Sequence, residues 1–273
     1  MWRWLLVVVG REVMGVVATD GTVGKALSVL DQVASMGRPV RLRELLETSS
    51  FPKPTLYRFL QTLTNQGMLC YDPEQQTYAP GIRLVRLAHS AWSQASLAPV
   101  ARPHIEKLAS SLREAVHLAQ IDNGQVVFID KRQASTRFAT LAQPGQVAPA
   151  YCTGIGKAIL AFLPEDERDH AIQQQAFLQY TPNTHTTAQA LLADLKAVQV
   201  DGIAYDREEH EVGIISIAAP ILTPSNRVVG AVSIATATNR YALEELEAFR
   251  PALLDCVNQI GAEAQSWLPP SLP

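Results

Sequence analysis

Apolar residues recur at helical spacing through the first third of the chain. Val23, Ala26, Leu27, Leu30 and Val33 make one stripe, which predicts a helix over Thr22–Met36 with Thr22 placed to cap it and Gly37 to close it. Between Arg41 and Leu69 the spacing predicts two short helices joined by a tight turn. The second is apolar at Leu56, Phe59, Leu60 and Leu63, with Phe51 just ahead. Its other side carries Lys53, Thr55, Tyr57, Arg58, Gln61 and Thr62, while Pro52 and Pro54 suit a first turn that needs no donor. A strand at Met68–Tyr71, a turn at Asp72–Gln75 and a strand at Gln76–Ala79 follow as a small β-wing. Three helices and a hairpin make a winged helix-turn-helix. Without the wing, the two helices would read equally well as an ordinary amphipathic pair.

Beyond the wing, Leu84, Leu87, Ala88 and Trp92 share one face of a helix that continues towards Leu97, a linker interrupted by Pro99. A second pattern then begins. A helix over Ala101–Arg113 turns Ile105, Leu108 and Leu112 inward. Val116–Ile121 and Gln125–Asp130 flank Asp122-Asn123-Gly124, a tight hairpin signal. A strand is expected over Arg137–Ala142 and helices over Gly154–Phe162 and Glu165–Phe177. A further helix capped by Thr187 runs to Val200 and is ended by Gly202. Strands Ile214–Leu222 and Val228–Ala235 precede a helical Tyr241–Trp267, in which Pro251 marks a kink or a new start. Hairpins with helices inserted between them define an α+β class. The expected boundaries are an arm at 1–19, a winged helix-turn-helix at 20–80, a linker helix at 81–98 and a second domain at 99–273.

Composition alters this picture little. The 273 residues suit one small and one medium domain, and the net charge of −3 does not advertise nucleic acid. Residues 1–90, however, hold ten Lys/Arg against seven Asp/Glu, so a mildly basic front end sits on an acidic body. Three well-separated cysteines argue against a disulfide framework and for a reducing cytoplasm. No histidine pair has metal-ligand spacing, and neither a metal nor a cofactor is expected. The opening run MWRWLLVVVG stops short of the about 20 apolar residues a membrane span needs. It reads as an arm, or as an upstream start in place of Met14, and no membrane partner is expected.

Candidate chemistry is sparse. Tyr151-Cys-Thr-Gly-Ile-Gly-Lys-Ala opens a helix whose amides could hold an anion, but it lacks the serine or threonine of a phosphate loop. Cys152, at that helix's start, is a candidate nucleophile whose pKa the helix would lower, though no histidine supports it nearby. The acidic run from Asp206 to Glu211 reads as a solvated loop. Ser216, in an apolar strand, requires a backbone or ligand partner. With no nucleophile–base pair in view, an enzyme using the second domain is the weaker alternative, and a pure interaction module leaves the winged helix idle.

These features, in order, resemble an IclR-family transcriptional regulator. They are PKPTLYRFLQTL, the Tyr78–Gly81 wing exit, VVFIDK, YCTGIGKAILAFLP, YDREEHEVGIISIAAPI and VVGAVSIAT. The resemblance implies a winged helix-turn-helix followed by a GAF-like effector domain, in a homodimer or dimer of dimers on operator DNA. Thr55, Tyr57, Arg58 and Gln61 would then enter the major groove, with Lys53 and Arg41 on phosphates. It also implies a small organic-acid effector held by Gly154, Ile155, Asp206, Ile214, Ser216 and Ser233, with Ala148 and Ala235 at the rim. Tyr151 stands where the family usually has histidine, Ser216 where many members have cysteine, and Ala235 where many have a second polar residue. Those departures favour an aromatic or larger apolar carboxylate.

Overall fold

The structure is a computed structural model that describes residues 21–95, 97–133 and 142–264, with residues 91–95 by backbone alone. The arm at 1–19, the helix end beyond 264 and all but Ala142 of the strand expected at Arg137–Ala142 lie outside the described residues. The chain divides into two compact units near residue 95. No helix among the described residues is long and apolar enough to cross a membrane.

In the first unit α1 (Thr22–Ser35) leads to β1 (Val40–Arg41), α2 (Leu42–Thr48) and α3 (Lys53–Asn65), then β2 (Leu69–Asp72), β3 (Thr77–Pro80) and α4 (Ile82–Ala95). Leu56, Phe59, Leu60 and Leu63 of α3 are buried against Val29, Leu30 and Val33 of α1 and Leu45 of α2. Burying each such side chain stabilises the fold by roughly 1.5–3 kcal/mol. Four details differ from expectation. Gly21 occupies the cap of α1 and makes no side-chain bond, so Thr22 is its first helical residue rather than its cap. Val29 takes the inward place expected of Val23 and Leu27, which are 74% and 46% exposed. The wing has a third strand, β1, which pairs with β3 through Val40↔Tyr78 and was too short to show as a period. On α4, Leu84 is half-buried, whereas Leu87 and Ala88 of the expected inner face are exposed.

The second unit runs α5 (Ala98–Leu112), β4 (Ala115–Asp122), β5 (Gln125–Gln133), β6 (Val147–Pro149), α6 (Gly154–Phe162), α7 (Glu165–Gln173), α8 (Ala188–Asp201), β7 (Ala204–Arg207), β8 (Ile214–Leu222) and β9 (Val228–Ala237). A 3₁₀ turn at Leu243–Phe249 then precedes α9 (Arg250–Ala264). Among the described residues the strands pair antiparallel in the order β6-β5-β4-β9-β8-β7. Alternation along β8 gives it two apolar faces: α6, backed by α8, covers one and α9 the other, while α5 lies beside α9 on β4 and β5. Thr187 accepts a bond from Ala190 N at 3.2 Å and Gly202 closes α8 with φ +74°. Helix α7 stops at Gln173, four residues before the expected end, and Phe177 beyond it takes φ +47°. Pro251 marks a new start, α9.

Candidate functional site

On the first unit, burial of one side of α3 leaves the other in water. Lys53, Tyr57, Arg58 and Gln61 are exposed, together with Asn65, which the sequence reading omitted. Thr55 is half-buried on the flank. Gln61 Nε2 donates to Tyr57 Oη at 3.3 Å, and the Arg58 guanidinium lies 5.9 Å from the Phe59 ring centroid. These are polar and charged groups on the exposed face of a helix, able to meet phosphates and base edges. Arg41 sits apart from this face: its Nε donates to Gln75 O at 3.2 Å, bracing the wing turn.

On the second unit, every strand sends residues into one cavity of about 130 Å³. Asp206 comes from β7, Ile214 and Ser216 from β8, Ser233 and Ala235 from β9, His117 from β4, Phe128 from β5 and Ala148 from β6. Gly154 and Ile155 close it with the N-terminus of α6. Thr153 caps that helix by accepting from Gly156 N at 3.3 Å. The Gly154 and Ile155 amides have no acceptor among the described residues. A side chain at Gly154 would collide with Ser216 Oγ, 2.7 Å from its first carbon, so glycine lets the helix end press on β8. The Ser216 and Ser233 hydroxyls make no hydrogen bond among the described residues although both side chains are almost fully buried, and both face the cavity.

The cavity thus gathers eight of the nine positions carried over from the family. Tyr151 is not among its lining residues: it is buried beside Phe177, with its hydroxyl donating to Leu178 O at 2.7 Å. Sequence reasoning missed His117, Phe128, Gln146, His210 and Glu211. The signal for His117 was its place in an apolar alternating strand, Ala115-Val-His-Leu-Ala. Burial and the Lys131 charge push its imidazole down to about 3, so it is neutral. Burial pushes Asp206 up to about 7, against a hydrogen bond from Glu209 N at 2.8 Å. Cys152 corrects an expectation: burial raises its thiol far above the ordinary value, which outweighs the helix end and removes the nucleophile.

The run from Asp206 is no solvated loop either. Its first residues belong to β7, and Glu209 turns inward to a cluster built around Lys157. The Lys157 ammonium is wholly buried, 2.7 Å from Asp194 Oδ2 and 2.5 Å from Glu209 Oε1, with Arg207 and His185 at the margin. Burial opposes the charge of Asp194, but bonds from His185 and Lys157 overcome it and hold that carboxyl well below its usual range. His185, Asp194 and Glu209 have the chemistry of metal ligands, yet Lys157 already places a cation on both carboxylates. Thr181 and Thr184 hydroxyls fix the loop by donating to Glu208 O and Glu209 O, each at 2.6 Å.

A winged helix-turn-helix in one unit and a sheet-floored cavity in the other are the architecture of a DNA-binding transcriptional regulator. Family models agree: the IclR helix-turn-helix domain matches residues 22–73, and the IclR C-terminal domain of bacterial transcriptional regulators matches residues 89–262. The chain belongs to the IclR family of transcriptional regulators. It is 28% identical to the HTH-type transcriptional regulator XynR of Escherichia coli over 85% of this chain and 92% of that one. The crystal structure of the Thermotoga maritima IclR shares 26% identity and a TM-score of 0.69, covering 88% of this chain and 97% of that one. A Microbacterium hydrocarbonoxydans homologue, solved in complex with 4-hydroxybenzoate, has the same fold at 20% identity and a TM-score of 0.74, over 88% and 99% of the two chains.

Proposed function

We propose that this regulator reads operator DNA with the exposed face of α3 and that an aromatic or larger apolar carboxylate in the second-unit cavity changes its operator affinity. The observation that carries the first half is the division of α3 into four buried apolar residues and the exposed set Lys53, Tyr57, Arg58 and Gln61. Thr55 belongs to the same contact surface, and Lys53 and Arg41 serve phosphates. For Arg41 that leaves the terminal nitrogens, since Nε is engaged with the wing.

The second half rests on the cavity's two ends. Free amides of α6 with Ser216 and Ser233 suit an anionic head, and Phe128, Ile214 and Ala148 suit an apolar body. The 4-hydroxybenzoate of the Microbacterium homologue is an acid of that kind. A homodimer or dimer of dimers would set one head on each operator half-site. In support, α1 and α4 expose apolar Val23, Leu27, Ile82 and Val85. The expected setting is the cytoplasm. Effector binding would act on the paired heads through the linker helix, for which a coupling of about 1–3 kcal/mol is enough.

The test is a gel-shift of full-length protein against DNA upstream of its own and neighbouring genes, across a salt series. Specific retention is expected, and Arg58→Ala should abolish it while leaving ligand affinity unchanged. An Arg58→Ala protein that binds the operator as tightly as wild type would sink the assignment of α3.

A further inference from the structure

Charge balance in the cavity sets a condition on what can bind there. Among the described lining residues there is no lysine or arginine, whereas Asp206 and Glu211 both contribute carboxyl groups. The two cations near Asp206 are engaged elsewhere. Lys157 lies between Asp194 and Glu209, and Arg207 stands 3.6 Å from Asp194 and 3.9 Å from Glu209. An acid seated on the Gly154 and Ile155 amides and on Ser216 Oγ would be next to Asp206. The corner is narrow: an atom built on Gly154 Cα would be 2.7 Å from Ser216 Oγ and 3.1 Å from Asp206 N. Asp206 and Ser216 are also direct cross-strand partners.

Two ionised carboxylates cannot share so dry a corner; one proton must be held between them. We propose that Asp206 is the specificity-determining acid of this cavity, and that a carboxylate effector binds with one proton, taken from solvent, shared between its own carboxyl and that of Asp206. This rests on the effector reading given above and adds the protonation state in which the site accepts an acid.

The groups around Asp206 permit the step. Glu209, His210 and Glu211 follow it in the chain. Lys157 faces it from α6, with Cys152 ahead of that helix, and Asp194 of α8 lies behind Lys157. Cys152 and His117 are neutral by virtue of their burial, Lys157 is balanced by its two carboxylates, and burial raises the Glu211 carboxyl as well. Asp206, pushed up to about 7, is the group that changes charge in the neutral range.

The test is titration calorimetry of the full chain with benzoate, 4-hydroxybenzoate and the matching amides, at pH 6 and pH 8.5. Two buffers of different ionisation enthalpy give the proton count. The acids should bind at pH 6, weaken about tenfold for each pH unit above 7, and take up close to one proton at pH 8.5. The amides should show neither effect. Asp206→Asn should flatten the acids' pH dependence and remove the uptake; if Asp206→Asn does not fold, the buffer pair on wild type decides alone. Acid held equally at both pH values without proton uptake overturns the proposal and leaves the effector reading intact. No acid bound at either pH overturns both.

Discussion

The two units use the same side-chain types in opposite surroundings. In the first, Arg38 and Glu44 approach to 2.5 Å in open water, and the guanidinium of Arg58 is exposed. In the second, Lys157 reaches Glu209 at the same 2.5 Å with its side chain wholly excluded from solvent. An exposed pair is screened and loses little when broken, so such residues are free to serve a partner. A buried pair is held by the cost of leaving either charge alone, so it cannot be lent to a ligand. In the function proposed above, recognition of DNA would therefore fall to polar and charged residues on a surface, and recognition of a small acid to amides, hydroxyls and a shared proton.

Breaking one pair of each kind tests that contrast most strongly. Lys157→Met leaves Asp194 and Glu209 buried without their cation and should cost about 3–5 kcal/mol, read as a lower midpoint in urea unfolding. Arg38→Met should leave the midpoint nearly where it was. Comparable losses from the two variants would show that burial is not what separates the units.

A second test uses pH, because two cavity residues titrate with opposite sign. His117 is held down to about 3 when folded, against about 6.5 unfolded. Below pH 6.5 the unfolded chain takes a proton that the fold refuses, so stability is lost as pH falls, by about 2 kcal/mol at pH 5. Asp206 is raised to about 7 from an unfolded value near 4. Its contribution is present at low pH and is lost as pH rises through about 4 to 7, by about 1.4 kcal/mol per unit. The two slopes nearly cancel between pH 5 and 6.5. His117→Asn should therefore gain stability on acidification relative to wild type, and Asp206→Asn should lose it, by about 2 kcal/mol each. Urea midpoints at pH 5 and pH 7 check this; shifts in the same direction would show that one of the two is not buried as described.

The contrast also explains what could be read from the chain. The α3 face was legible because four apolar residues at helical spacing define by exclusion which side meets water. Thr187 and Gly202 bounded α8, and Asn123-Gly124 marked the β4–β5 hairpin, because caps and tight turns are local chemistry. The Lys157 cluster joins positions 157, 185, 194 and 209, and only the fold brings them together. Strand β7 was hidden because its Asp206-Arg207 and the following glutamates look solvated, although Asp206 and Glu209 are buried. Family likeness pointed to Asp206, Ser216 and Ser233, which line the cavity, and to Tyr151, whose ring packs on Phe177 outside that lining. His117 required knowing that β4 lies beside β9, where it pairs with Ser233.

The smallest expected effect concerns how the cluster is delivered. Asp194 reaches Lys157 from α8, and α8 is started by Thr187, whose hydroxyl accepts from Ala190 N at 3.2 Å. In the first unit α1 begins at Gly21 with no side-chain cap. If a buried charge pair needs its helix held in register, the cap on α8 should matter beyond its own hydrogen bond. Thr187→Ala should cost about 1 kcal/mol, and Thr187→Ser should restore most of it. In a Lys157→Met background the same Thr187→Ala change should cost less, since Asp194 then has no cation to meet. Unfolding midpoints of the four variants give the coupling directly, and strict additivity would mean that the cap supports α8 without serving the cluster.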